Sequence, residues 1–153
     1  MKKNKVFLFA LMCMAGISVQ ALEKDVNSVY QIGTSEDMVA FAQLVNEGEV
    51  SANAVLTADI DMSSVENFTP IAKHYTSPYC GIFDGQGHII SNLNIDMNAG
   101  DSETGLFFRV TNATVKNVGI VNATVKNPPR TGLVYLAELP SVPTSSTASA
   151  QEP

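Results

Sequence analysis

The sequence predicts an all-β chain: a right-handed parallel β-helix of about two to three coils, closed at its N-terminal end by one capping α-helix. Three observations predict it. Short runs of Val, Ile, Leu and Thr, broken by Gly, Asn and Asp, fill the chain from Ala54 to about Val134, which is strand-and-turn chemistry. These runs repeat at a near-constant spacing, as a solenoid requires and a β-sandwich does not. A single amphipathic helical segment stands just before the first run.

The first element is a leader. Lys2, Lys3 and Lys5 make a positive start, Val6 to Val19 is almost wholly apolar, and Val19-Gln20-Ala21 follows with small or modest residues. That is the layout of a secretory signal, with cleavage expected after Ala21. An apolar run of about 14 residues is too short to cross about 30 Å of hydrocarbon as a helix. Met12 is too bulky to precede a lipidated Cys13. The domain plan is therefore a leader over 1–21, a capped β-helix over 22–139 and a polar, proline-bearing tail over 140–153 that has no means of packing.

Loss of the three leader lysines leaves six basic residues against fifteen acidic ones, a net charge of −9. That sign repels phosphate backbones and anionic lipid heads, so neither nucleic acid nor membrane insertion is expected after cleavage. The location expected is secreted, on the exterior of the envelope or in the periplasm. Cys80 is the one cysteine left, which excludes an internal disulfide.

Val29-Tyr30-Gln31-Ile32 alternates like a strand. A helix is predicted next, over about 36–47. Thr34 or Ser35 can cap it, and Glu36 and Asp37 put negative charge at the positive end of its dipole. Met38, Phe41, Ala42 and Val45 draw one apolar stripe, and Gly48 supplies a left-handed residue past the end. A solenoid's first coil exposes unpaired edges, so Met38, Phe41 and Val45 are expected to plug that mouth.

The repeat is read by placing Ile90-Ser91-Asn92-Leu93-Asn94-Ile95 over Val115-Lys116-Asn117-Val118-Gly119-Ile120, an offset of 25 residues. Asn92 and Asn117 then coincide at a corner, where Asn tolerates left-handed backbone and Asn side chains can stack. Gly81-Ile82-Phe83, Gly105-Leu106-Phe107 and Gly132-Leu133-Val134 give a second alignment. Ala113-Thr-Val-Lys-Asn117 is echoed by Ala123-Thr-Val-Lys-Asn127. On this alignment a third coil starts at Thr131 and is not completed, so its open top is expected to stack on another chain, as the front portion of something longer.

Taken together, Tyr30-Gln31-Ile32, Glu36-Asp37-Met38, Phe41-Ala42, Leu56-Thr57-Ala58-Asp59-Ile60-Asp61-Met62, Pro70-Ile71, Gly81 to Ile90 and Gly105-Leu106-Phe107 resemble the N-terminal region of bacterial secreted β-helix proteins with GLUG-type repeats. The likeness runs from about Tyr30 to Tyr135 and implies a pectate-lyase-like fold with a cell-surface, adhesin-like role. Thr131-Gly132-Leu133-Val134-Tyr135 departs from the usual Gly-Gly-Leu-Val-Gly by losing the flanking glycines.

The candidate chemistry is thin. Asp59 and Asp61 share a strand face, as a two-carboxylate glycosidase or a calcium-assisted lyase would need, but no third acidic ligand or base accompanies them. Asp84-Gly85-Gln86-Gly87-His88 reads as a tight arc in which Asp84 bonds its own turn and Gly85 and Gly87 take positive φ. The irregular stretch 73–80 displays His74, Tyr75 and Tyr79, the residues expected to touch a glycan or surface protein if any do. Cys80 is expected as a half-buried small hydrophobe. No catalytic residue, metal or cofactor is expected. The leading expectation is a non-catalytic exported surface module. The alternatives are the front of a polysaccharide lyase or glycosidase, and a carbohydrate-binding module using 73–80.

Overall fold

The computed structural model describes residues 22–96, 104–126 and 134–135; the leader, the 140–153 tail and Thr131-Gly132-Leu133 lie outside the described residues. In chain order the elements are β1 (Tyr30–Ile32), α1 (Ser35–Asn46), β2 (Ala54–Leu56), β3 (Ile60–Asp61), β4 (Ile82–Asp84), β5 (Ile89–Ser91), β6 (Asn94–Asp96), β7 (Thr104–Gly105), β8 (Thr114–Lys116), β9 (Gly119–Val121), β10 (Thr124–Lys126) and β11 (Val134–Tyr135).

Thr34 rather than Ser35 starts the helix. Its side chain accepts from Asp37 N at 3.1 Å, and Asp37 Oδ2 accepts from Thr34 N and Gly33 N at 3.1 Å each. This is a capping box with Asp in place of the usual Glu or Gln. Gly48, at φ 120°, lies just past the far end, and its amide bonds Val45 O. Met38, Phe41, Ala42 and Val45 are buried. Phe41 meets Tyr30, Tyr79 and Phe83 at ring distances of 5.9, 6.3 and 6.0 Å. One helical side chain therefore touches β1, β4 and the segment between, which is what a plug at the base of a coil stack must do.

The strands pair only in parallel, in ladders β1-β2-β4-β8, β3-β5-β9, β6-β10 and β7-β11. Each coil runs through these sides in turn and climbs to the next, so the fold is a short parallel β-helix with a helical cap. Coil one begins at β2, coil two at β4 and coil three at β8. Inward residues stack in columns: Tyr30, Ala54, Phe83 and Val115 on one side, Ile60, Ile90 and Ile120 on the next, Ile95 and Val125 on the third.

The register differs from the 25-residue alignment. Ile90 lies under Ile120 and Ile95 under Val125, each 30 residues apart. The difference of five is the length of the local unit, three strand residues, a left-handed Asn and one inward apolar residue. Because β8, β9 and β10 repeat that unit, an alignment shifted by one side of the coil matches almost as well as the true one. Asn92 consequently lies under Asn122, with its amide bonded to Val121 O, and Asn117 lies over the Gln86-Gly87 arc. The glycine blocks at 81 and 105 belong to two sides of the same coil, and Tyr135 is registered over Gly105 as the return of coil three, not its start.

Candidate functional site

The acidic corners come first, because catalysis or metal binding would begin there. Asp59 Oδ1 accepts from Ile89 N and meets His88 Nδ1, both at 3.1 Å. Asp61 Oδ1 accepts from Asn92 Nδ2 at 2.9 Å and from Ser63 N at 3.0 Å. Asp84 Oδ1 accepts from Gln86 N at 2.9 Å and Asn117 Nδ2 at 3.0 Å, while its Oδ2 pairs with Lys116 Nζ at 3.1 Å. In every case a carboxylate on one coil receives donors from the coil above. Donors favour the charged form, and all three carboxyls are held below the usual range: Asp59 chiefly by the Ile89 amide, Asp61 by Asn92, Asp84 by the Gln86 amide.

These carboxylates act as rungs between coils. Asn92 and Asn117 do not stack on one another as expected; their left-handed backbone, φ 57° at Asn92 and 54° at Asn117, turns the corner, and their side-chain amides reach down to Asp61 and Asp84. Neutral rungs join the same scheme: Asn53 Oδ1 accepts from Ile82 N at 2.8 Å and Asn67 Oδ1 from Asp96 N at 2.9 Å. No group of three His, Cys, Asp or Glu among the described residues is placed to hold a metal ion.

The arc at 85–88 is framework. Gly87 has φ 88° and donates to Asn117 O at 2.8 Å, and Gln86 takes φ 51°. Gly85 needs no positive φ, contrary to expectation. It is glycine because a Cβ there would collide with Asn117 O and come within 2.6 Å of the Val118 Cα.

The 73–80 stretch splits in two. Tyr79 is not displayed: it is fully buried, its hydroxyl donates to Ala52 O at 2.7 Å, and its ring lies 5.1 Å from that of Phe107. Burial pushes its phenol well above the ordinary value. The isolated bridge Tyr79–Val110 explains why, since this end of the loop is a side of the coil. Tyr75 is 62% exposed, but the Arg109 guanidinium lies 3.8 Å from the centre of its ring, and Arg109 also donates to Tyr75 O. His74 is exposed, and so is Cys80, which was expected half-buried. A tyrosine pair for sugar stacking is therefore not formed.

Sequence reasoning missed one feature, an open groove of about 350 Å³ between α1 and the third side of coil one, walled by Val39, Ala42, Glu47, Val65 and Phe68. Its only signal was Val39, an apolar helix residue lying off the buried stripe and 39% exposed.

The chain thus belongs to the class of capped parallel β-helices whose polar corners are used in joining coils. Among known proteins it is similar to halomucin of Haloquadratum walsbyi, with 36% identity over 119 residues. That match takes in 70% of this chain and 1% of halomucin, so the chain spans about one hundredth of the relative's length. No protein-family model matches the chain, and no solved structure matches it. Among the described residues, no helix is long and apolar enough to cross a membrane.

Proposed function

We propose that this chain is an exported, non-catalytic β-helix module of the cell exterior, a structural or adhesin-like unit of the kind its GLUG-type resemblance suggests. The observation that carries the reading is the use of Asp59, Asp61 and Asp84: each carboxylate is engaged by the coil above, as a strut between coils is. Two further facts support it. The leader has the layout of a secretory signal, and the relative's name speaks of a mucin, an extracellular class of protein.

The test has two readouts. The chain is expected outside the cell with Leu22 as its first residue, and it is expected to leave pectate, alginate and chitin oligomers uncut. An uncleaved, cytosolic product would overturn the location. Depolymerisation that disappears in a folded Asp84→Asn variant would overturn the non-catalytic role.

A further inference from the structure

The two ends of the coil stack are finished differently. At the base, the free edge of β1 is covered by the preceding segment: Gln31 N donates to Glu23 O at 2.9 Å, and Lys24 bridges Tyr30 in antiparallel fashion. Helix α1 covers the rest. At the top, β8, β9 and β10 each pair on one side only among the described residues. Natural edges are blunted by short strands, by lysine or proline, by bulges or by inward-pointing charge. Thr114 to Lys126 has short strands that recur every five residues and carries Lys116 and Lys126 on its edge, but no proline and no inward-pointing charge, so this edge selects by charge rather than excluding every strand. The inward rows show the same opening: Phe83, Ile90 and Ile95 are buried, while Val115, Ile120 and Val125 directly above them are only partly covered.

Charge says what fits there. From Leu22 to Thr104 the chain carries thirteen acidic residues against Lys24 and Lys73, whereas from Gly105 to Ala137 it carries Arg109, Lys116, Lys126 and Arg130 and no acid. Two of these cations, Lys116 and Lys126, continue columns that are acidic one coil down. Lys116 is registered over Asp84 and bonded to it, and Lys126 is registered over Asp96. A second copy meeting this one top to top would bring like charges together, which costs rather than contributes.

We infer that the top of coil three is a docking face for an acidic β-coil: a polypeptide that adds parallel strands over β8, β9 and β10 and sets carboxylates above Lys116 and Lys126. This is β-augmentation on three sides at once. Backbone pairing supplies the register, Val115, Ile120 and Val125 supply the apolar contact, and the lysines select an acidic partner. The inference goes beyond the proposed structural role and stands whether or not the chain is catalytic.

Residues 82–96 of this same sequence are a ready probe, because they already lie against β8, β9 and β10 from below, with Asp84 paired to Lys116 and Asp96 in register with Lys126. Hydrogen exchange is read at 114–126 in the exported chain, alone and with this peptide. The free chain is expected to exchange there faster than at 82–96, and the peptide is expected to slow exchange about tenfold. The slowing should weaken at high salt and vanish for a peptide carrying Asp84→Lys and Asp96→Lys. Four results would overturn the inference. Strands 114–126 already protected in dilute free chain would mean the chain covers its own top, and protection that rises with protein concentration alone would mean a second copy does. Equal slowing by both peptides would remove the charge selection. Slowing by alginate as strong as that by the acidic peptide would make the face a general anion site.

Discussion

Coils two and three are built from the same unit and differ in how much of it is buried. Ile90 and Ile120 are the same residue at the same corner-to-corner position, one directly over the other. Ile90 is fully buried and Ile120 only partly, because among the described residues Ile90 has a coil on each side and Ile120 has one on its lower side only. In a solenoid, burial is conferred by neighbours and not by the residue. A residue's contribution should therefore follow its position in the stack more closely than its identity.

The largest expected effect tests the closed end. Phe41→Ala removes the ring that touches Tyr30, Tyr79 and Phe83 and should cost about 3–5 kcal/mol, read as a shift in the chemical denaturation midpoint. The paired substitutions come next. Ile90→Ala should cost about 2–5 kcal/mol, and Ile120→Ala about 1 kcal/mol. Equal losses would break the comparison, because they would mean Ile120 is covered from above in solution. Gly85→Ala should fall between them at about 1–3 kcal/mol, since its methyl has backbone of coil three in its way.

What the sequence revealed follows from which interactions are local. The helix was legible because its cap, Thr34 with Asp37, and its stripe at 38, 41, 42 and 45 lie within one segment. The coil was legible because the five-residue unit recurs. The register was not, since that same unit occupies adjacent sides and an offset of 25 competes with one of 30. Tyr79 was misplaced for a related reason. Its burial depends on Ala52, Phe107 and Val110, each remote in sequence, and a stretch with Ser77-Pro78 before it looks like a loop. The Asp59 and Asp61 pair was suggestive until the partners of both, Ile89 and Asn92, appeared about 30 residues away.

The smallest effect concerns acid, and it sharpens the same contrast. Asp59, Asp61 and Asp84 have folded pKa values below their unfolded ones. A depressed carboxyl contributes stability that is fully present above the unfolded value, near 3.9, and is lost as pH falls through the folded value. Melting temperature should therefore be level from about pH 7 to 5 and decline below about pH 4. These side chains are largely solvated, so the decline should be gentle. The triple variant Asp59→Asn, Asp61→Asn, Asp84→Asn should start lower and decline less. The order of loosening is the more telling readout. Coil three brings no carboxylate of its own within Thr114 to Ala137 and is tied to coil two through Asp84, which holds both Lys116 and Asn117. Amides at 114–118 should therefore gain exchange on acidification before those of β1 and α1, whose contacts are apolar. Simultaneous loss along the whole stack would mean that the carboxylate rungs do not distinguish its two ends.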